Sequence, residues 1–208
     1  MDNQADNQAD NTEHYFSAEP QVASAPVLVR ATVRGMELRF WTDRGVFSRG
    51  KVDAGSKLLA ETFETGPGHR VLDWGAGYGV LGIVAALVEP SCTVTMVEVN
   101  QRAADLARRN LTENAVRNVA VLDGPAPESL GDEHFDTIIS NSPVSRGRAV
   151  VEAMIADAHA RLSDGGCLWL VIQTRKGAKR YLKYMATLFK SAQTVRMKGG
   201  YRVLAGWK

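Results

Sequence analysis

The distribution of apolar and polar positions divides this chain into a polar start, a short β-rich segment and a long region of alternating elements. The opening DNQADNQADN repeat contains almost nothing apolar, so burial cannot offset the entropy lost on ordering it. We therefore expect residues 1–25 to form a disordered acidic leader; a leader added to the natural protein would account for the repeat equally well. Val27–Val33 and Met36–Trp41 are β-rich runs that turn at Arg34-Gly35 and predict a hairpin.

Regular alternation of strands and helices follows a helical stretch at Lys57–Phe63, which Gly66-Pro67-Gly68 ends. The predicted strands are Arg70–Trp74, Thr93–Val99, Val119–Leu122, Phe135–Ser140 and Cys167–Gln173. The predicted helices between and after them are Val80–Val88, Gln101–Glu113, Ala149–Leu162 and Ala178–Phe189. Gln193–Met197 and Tyr201–Trp207 flank a Lys-Gly-Gly turn and predict a terminal antiparallel hairpin. Strand–helix alternation predicts a parallel sheet with helices on both faces.

Length and composition fit one globular domain, and the strand–helix alternation indicates an α/β domain of Rossmann-like type. The chain has 208 residues, of which 45% are hydrophobic and 23% charged, as in ordinary globular proteins. We assign this domain to residues 26–208, with the hairpin and first helix at 26–66 and the core at 67–208. No apolar stretch approaches the about 20 residues of a membrane-spanning helix. The polar start resembles neither a secretory signal nor a transit peptide, so we expect no membrane association and a cytoplasmic protein.

Cysteine and histidine positions give no sign of a disulfide framework or a metal site. Cys92 and Cys167 lie in apolar runs that are typical of strands, and we expect both to be buried free thiols. The histidines are scattered along the chain without the spacing of zinc ligands, at His14, His69, His134 and His159. We therefore expect no bound metal and assign these histidines to structural or surface positions.

Charge is distributed unevenly along the chain, although the net charge is only +2. Residues 1–22 carry five acids and no Lys or Arg, whereas residues 165–208 carry ten bases and no acids. Such a basic block is typical of a surface that binds polyanions such as RNA. A solvated helix face on a basic protein is an equally good interpretation, and the sequence alone leaves both open.

The first motif with chemical content is Asp73-Trp74-Gly75-Ala76-Gly77-Tyr78-Gly79, between a predicted strand and helix. Glycines in such a turn let the backbone approach a ligand closely, and the following helix N-terminus offers N–H donors. The spacing is G-x-G-x-G and differs from the dinucleotide fingerprint G-x-G-x-x-G. Asp73 before the turn would repel a pyrophosphate and attract the α-ammonium group of a methionine. A purely structural turn is the alternative.

Two further acids end predicted strands at the same edge of the sheet. Glu98 ends the second core strand, at the distance after the glycine turn that is typical of a ribose-binding carboxylate. Asp123 follows the third core strand, where it could accept a hydrogen bond from an adenine amino group. The alternatives are a solvated strand-end charge for Glu98 and a turn-forming Asp-Gly pair for Asp123.

The fourth core strand ends in Ser140-Asn141-Ser142-Pro143-Val144. An Asn-x-Pro sequence after a buried strand presents a side-chain carbonyl and a free backbone carbonyl next to each other. These two acceptors could hold a substrate NH₂ group and direct its lone pair at an electrophile. Asn and Pro also simply end strands, so the motif alone is not specific.

Four sequence blocks in order resemble the small-domain class I S-adenosylmethionine-dependent methyltransferases related to ribosomal RNA guanine-N2 methyltransferases. The blocks run from Val46 to Leu59, from Val71 to Leu81, from Phe135 to Pro143 and from Lys198 to Leu204. The resemblance implies a seven-stranded methyltransferase sheet whose last strand inserts antiparallel, with the hairpin as an N-terminal extension. It also implies methyl transfer from S-adenosylmethionine to an exocyclic amine, namely guanine N2 in ribosomal RNA.

The resemblance implies a role for each candidate site residue. The expected cofactor-binding residues are Asp73, Gly75, Ala76, Gly77 and Gly79 around the methionine, Glu98 with Val99 at the ribose, Asp123 at the adenine, Gly55 and Ser56 closing the pocket, and Asn141. The expected catalytic residues are Asn141, Ser142 and Pro143, with Asn141 orienting the amine. The basic C-terminal block would bind the RNA.

Two rival functions remain open at this point. Protein glutamine N5-methyltransferases resemble the same family, although the acid-free C-terminal block suits RNA better than a protein. A catalytically silent module that binds S-adenosylmethionine or RNA is the second rival. It is supported by Ser142 and Val144, because the family usually reads Asn-Pro-Pro followed by Phe or Tyr here. Replacing that aromatic ring removes a base-stacking contact worth about 1–3 kcal/mol.

Overall fold

A computed structural model of the chain describes residues 20–141 and 144–208. The strands are β1 (Val27–Val33), β2 (Met36–Thr42), β3 (Arg70–Trp74), β4 (Thr93–Glu98), β5 (Val119–Asp123), β6 (Phe135–Asn141), β7 (Leu162–Gln173), β8 (Ser191–Lys198) and β9 (Tyr201–Trp207). The helices are α1 (Ala54–Ala60), α2 (Val80–Val88), α3 (Gln101–Glu113), α4 (Ala126–Leu130), α5 (Arg148–Arg161) and α6 (Ala178–Leu188). Residues 1–19, which make up most of the expected leader, and His14 with them lie outside the described residues.

The central sheet has seven strands in the order β5-β4-β3-β6-β7-β9-β8. Strands β3 to β7 pair in parallel, and β9 inserts antiparallel between β7 and β8. Gln173 of β7 pairs with Tyr201 of β9, so the antiparallel strand begins at the edge where the parallel strands end. This topology confirms the expected methyltransferase sheet. The N-terminal hairpin is also confirmed, because β1 and β2 form a separate two-stranded antiparallel sheet.

Two apolar layers cover the sheet, one on each face. The hairpin, α1, α2 and α3 pack on one face, around buried residues such as Phe40, Leu59 and Ile83. The helices α4, α5 and α6 pack on the other, around Ile155 and Met185. Helices on both faces are what the strand–helix alternation predicts. Within the ranges that the structure covers, no helix is long and apolar enough to traverse a bilayer.

The structure differs from the sequence prediction most clearly at the starts of two elements and at one additional helix. Helix α1 begins at Ala54 rather than Lys57, because the Asp53 carboxylate caps it by accepting a hydrogen bond from Ser56 N–H at 3.0 Å. Strand β7 begins at Leu162 rather than Cys167, because Leu162 pairs with Phe135 of β6 and the Asp164-Gly165-Gly166 segment that reads as a turn lies within the strand. The five-residue helix α4 is not predicted at all.

The two cysteines confirm their prediction, as Cys92 and Cys167 are both buried and free. Cys167 lies in β7, whereas Cys92 directly precedes β4. Neither thiol lines the cavity described below.

Candidate functional site

A cavity of about 420 Å³ lies at the carboxyl ends of the parallel strands. The glycine turn after β3, the end of β4 and the end of β6 form its floor, and α1 and the start of β9 close one side. Among the residues that line it are Ser56, Gly75, Ala76, Gly77, Glu98, Val99, Gly124, Asn141, Gln173 and Tyr201. Several residues that the sequence assigns to separate strands therefore meet in one place.

The glycine turn is held against the end of β4 by hydrogen bonds within the protein. Gly75 and Gly77 have φ values of 74° and 57°, in the left-handed region that favours glycine. The N–H groups of Gly75 and Ala76 donate to Val97 O at 2.9 and 3.1 Å. A Cβ built at Gly75 or Gly77 would meet no described atom within 4 Å, so the turn leaves open space beside the cavity. The N–H groups of Gly75 and Ala76 are therefore engaged within the protein.

Glu98 lies inside the cavity with only 8% of its surface exposed. Its Oε2 accepts a hydrogen bond from Gly77 N–H at 2.8 Å, and its Oε1 accepts one from Asn100 N–H at 2.9 Å. Burial raises the pKa of Glu98, although these N–H donors act in the opposite direction. Each carboxylate oxygen can accept a second hydrogen bond. Glu98 is thus placed as a ribose-binding acid would be, beside Val99.

Asp73 does not line the cavity, contrary to the position expected for an acid that contacts a methionine ammonium group. It lies within β3, one residue before the strand ends, and its side chain points beneath the turn. Its Oδ2 accepts a hydrogen bond from Gly82 N–H of α2 at 2.8 Å. Burial raises the pKa of Asp73 to about 7. Asp73 therefore ties α2 to β3.

Three other residues that were expected to bind the cofactor do not line the cavity. Asp123 forms an ion pair with Arg108 at 2.7 Å, and Gly124 lines the cavity in its place. Gly79 forms the N-cap of α2 and packs against α3, where a Cβ would come within 3.3 Å of Ala107 Cβ. Gly55 is buried in α1 and does not line the cavity.

Asn141 ends β6 and faces the cavity beside α1. Its Nδ2 donates to Asp53 Oδ2 at 3.1 Å and to Ser56 Oγ at 2.9 Å. A carboxylate can only accept hydrogen bonds, so the amide nitrogen of Asn141 must face Asp53 and its carbonyl must face elsewhere. Ser142 and Pro143, the other expected catalytic residues, lie outside the described residues.

Sequence reasoning assigned no site role to several residues that line the cavity. Asp53 could have been found from its position, because an Asp before a helical run is a common N-cap. Tyr201 and Gln173 carry no comparable local signal. Arg146 and Lys176 also line the cavity and bring positive charge to its rim.

Comparison with known proteins places these features in a family. Residues 37–205 match the family model "methyltransferase small domain". The chain is 33% identical to uncharacterized protein YbxB of Bacillus subtilis, over 95% of this chain and 99% of that protein. It is 32% identical to ribosomal RNA small subunit methyltransferase C of Haemophilus influenzae, over 76% of this chain and 48% of that protein.

A solved structure agrees with these matches. The fold is similar to that of the T. thermophilus 16S rRNA N2 methyltransferase RsmC, solved in complex with AdoMet and guanosine, with a TM-score of 0.79 and 31% identity. That match covers 91% of this chain and 52% of the other. The chain thus spans about half the length of the ribosomal RNA methyltransferases that it resembles.

The residues present fit S-adenosylmethionine as cofactor. Glu98 offers two carboxylate oxygens for ribose hydroxyl groups, and the open space beside Gly75 and Gly77 leaves room for the ligand. Asn141 faces the same cavity from the end of β6. The chain belongs to the methyltransferase small domain family, and the residues around its cavity fit S-adenosylmethionine.

Proposed function

We propose that this enzyme methylates an exocyclic amine of RNA, and that its acceptor is N2 of a guanine in ribosomal RNA. The observation that carries this proposal is the orientation of Asn141, whose amide nitrogen is engaged by Asp53 and Ser56. Its carbonyl is then available to accept a hydrogen bond from an incoming NH₂ group. S-adenosylmethionine, when bound, supplies a methyl group made electrophilic by the sulfonium.

This chain's residues contribute mainly by positioning. Glu98 would hold the ribose, and the carbonyl of Asn141 would hold one amine hydrogen and so orient the nitrogen lone pair for methyl transfer. The amine nitrogen would act as the nucleophile: its new C–N bond would form as the C–S bond of the sulfonium breaks, with S-adenosylhomocysteine as the leaving group, and the methylated amine would then lose a proton to solvent. In such a reaction, catalysis depends on geometry and electrostatics more than on a strong general base.

The choice of RNA rests on the relatives and on charge. The relatives include ribosomal RNA small subunit methyltransferase C and large subunit methyltransferase G, and the RsmC structure holds guanosine. Arg146 and Lys176 line the cavity, while Arg175 and Lys198 are exposed at the same edge of the sheet. Cations around a cavity favour a phosphate-bearing acceptor over a protein side chain.

The deciding experiment measures transfer of a radiolabelled methyl group to bulk ribosomal RNA and, separately, to bulk protein. We expect label in RNA at guanine N2. Label in protein would instead support the protein glutamine methyltransferase alternative.

Asn141→Ala tests directly whether the Asn141 amide positions the substrate amine. We expect turnover to fall by about a hundredfold or more, because the amine loses its alignment. The dissociation constant for S-adenosylhomocysteine, measured by calorimetry, should hardly change. Near-normal turnover in the variant would rule out the role of Asn141 in positioning the amine.

A catalytically silent binding module is the second candidate, and one specific feature favours it. Ser142 and Val144 stand where the family usually has Pro and an aromatic residue. This candidate predicts tight cofactor binding with no transfer to any RNA or protein. A Val144→Phe variant that gains transfer absent from the wild-type protein would support it.

A further inference from the structure

We infer that Asp53 and Tyr201 form a positioning device that fixes the orientation of the Asn141 amide. The fixed amide selects methyl-accepting substrates that donate a hydrogen bond to it. The inference rests on the proposed function, because it deepens the role of the same cavity. Asp53 lies at the start of α1, Tyr201 at the start of β9 and Asn141 at the end of β6. Three elements that are distant in sequence therefore meet at the carboxylate of Asp53.

The Asp53 carboxylate makes contacts in two directions. Its Oδ2 accepts hydrogen bonds from Ser56 N–H at 3.0 Å and from Asn141 Nδ2 at 3.1 Å. Its Oδ1 lies 3.5 Å from the Tyr201 hydroxyl, which is longer than an ordinary O–H···O hydrogen bond. The carboxylate is thus fixed at one oxygen by the helix that it caps and approached at the other by β9.

Gln173 determines which way the Tyr201 hydroxyl points. Gln173 Nε2 donates to Tyr201 Oη at 3.0 Å, which leaves the hydroxyl hydrogen free to point at Asp53. Gly55 allows this approach, because a Cβ there would come within 2.8 Å of the tyrosine ring and 2.9 Å of Asp53 Oδ2. The ring thus occupies the space that a side chain at position 55 would need.

The chemical consequence concerns the side-chain amide of Asn141, whose NH₂ group donates hydrogen bonds and whose carbonyl accepts them. An amide without fixed partners can rotate and present either NH₂ or C=O to a ligand. With Asp53 in place, rotation would set the carbonyl against a carboxylate and leave two acceptors facing each other. The only group of the Asn141 amide that faces the cavity is therefore its carbonyl, a hydrogen-bond acceptor. A ligand that places only hydrogen-bond acceptors next to this carbonyl is disfavoured.

The first experiment observes the amide itself and needs no acceptor substrate. In isotope-labelled protein, the side-chain NH₂ protons of Asn141 are assigned by their disappearance in Asn141→Asp. We expect these protons to exchange slowly with solvent in the wild-type protein and faster, by about tenfold, in Asp53→Ser. Serine is itself a good N-cap, so this variant keeps the start of α1. Unchanged Asn141 signals in Asp53→Ser would overturn the inference.

The second experiment separates positioning from cofactor binding. Asp53→Ser should lower kcat by about tenfold, while the dissociation constant for S-adenosylhomocysteine changes by less than about twofold. Glu61→Ser, which makes the same charge change at the other end of α1, is the matched control and should leave both values unchanged. Equal losses of kcat and cofactor affinity would mean that Asp53 binds the cofactor, which would overturn the inference.

Tyr201→Phe keeps the test decisive if Asp53→Ser does not fold. It preserves the ring against Gly55 and removes only the hydroxyl, so we expect a smaller loss of kcat in the same direction, about twofold to fivefold. No change in either kcat or Asn141 exchange would remove Tyr201 from the device. A wild-type protein with an ordered Asn141 amide that methylates no RNA would contradict the proposed function and leave the positioning device standing.

Discussion

The carboxylate of Asp73 has no exposed surface, and Gly82 N–H donates to one of its oxygens. Among described atoms, its Oδ1 has no hydrogen-bond partner. Loss of hydration is the main cause of its raised pKa, and the negative charge of Glu98 adds to it. A buried carboxylate with a pKa near neutrality makes the folded protein sensitive to pH.

The direction of this sensitivity follows from proton binding. An aspartate in an unfolded chain has a pKa of about 3.9, whereas burial raises the pKa of Asp73 to about 7 in the folded protein. Between about pH 4 and pH 7, the folded state therefore binds more protons than the unfolded state, and the free energy of unfolding falls as the pH rises. The loss of stability caused by ionised Asp73 is complete above the pKa of the folded state and absent below the pKa of the unfolded state.

Asp73→Asn should remove this pH dependence, because the amide keeps the shape and cannot ionise. We expect the stability difference between variant and wild type to shift in favour of the variant by up to about 4 kcal/mol between pH 4 and pH 8. Chemical denaturation of cofactor-free protein at several pH values measures it. Asp132→Asn, at an exposed position, is the control. A difference that does not vary with pH would refute the prediction.

Some site residues could be predicted from the sequence, and others could not, for a physical reason. Glu98 and Asn141 each end a parallel strand, and such ends meet at one edge of a sheet. Asp53 and Tyr201 are 148 positions apart and meet only because β9 inserts beside β7. No local pattern encodes that contact.

Helix α1 joins the N-terminal region to the active site, and its position depends on a close approach at Gly55. The helix buries Leu58, Leu59 and Ala60 and turns Gly55 toward the ring of Tyr201. Its placement therefore fixes the distance between α1 and β9, and with it the contact between Asp53 and Asn141.

Gly55→Ala should disturb this docking, although alanine favours helices. The added methyl group overlaps the Tyr201 ring, so we expect a loss of about 1–3 kcal/mol of stability and a lower kcat. Thermal melts and single-turnover rates measure the two effects. Ala54→Ser, at the exposed neighbouring position, should leave both nearly unchanged. A Gly55→Ala protein with wild-type stability would show that the close approach relaxes without cost.

Prediction of helices and strands from the sequence fails here where the local signal is missing or misleading. Helix α4 spans only five residues after Pro125, too few to show a helical period. The Asp164-Gly165-Gly166 sequence reads as a turn, yet it lies within β7. Apart from the start of β7, the longer strands and helices were predicted to within a few residues because each carries a sustained apolar pattern.

The basic C-terminal block is divided between two edges of the molecule. Lys198 pairs with Tyr201 at the cavity edge, and Lys179 lies in the first turn of α6, which follows β7 at that edge. Lys190 donates its backbone N–H to Trp207 O at the opposite edge. Counting bases along the sequence cannot separate these groups, because their position depends on strand direction.

Charge reversal at the two edges should therefore have different effects. Lys179→Glu with Lys198→Glu, at the cavity edge, should lower RNA affinity by about tenfold and flatten its dependence on salt, because phosphate contacts are lost. Arg117, an exposed residue just before the start of β5, lies at the opposite edge with Lys190. Arg117→Glu with Lys190→Glu makes the same charge change there and should have little effect. Filter binding over a range of salt concentrations measures both. Equal losses in the two variants would indicate a non-specific charge effect.

The internal position of β9 has a consequence for how the protein is made. The strands of the sheet leave the ribosome in chain order, so β7 and β8 are both synthesised before the strand that lies between them. Until residues 201–207 emerge, β7 keeps an unpaired edge and β8 has no partner strand. The same residues carry Tyr201 into the cavity. Closure of the sheet and completion of the cavity therefore depend on the same strand, and a nascent chain that has not yet extended through β9 has neither.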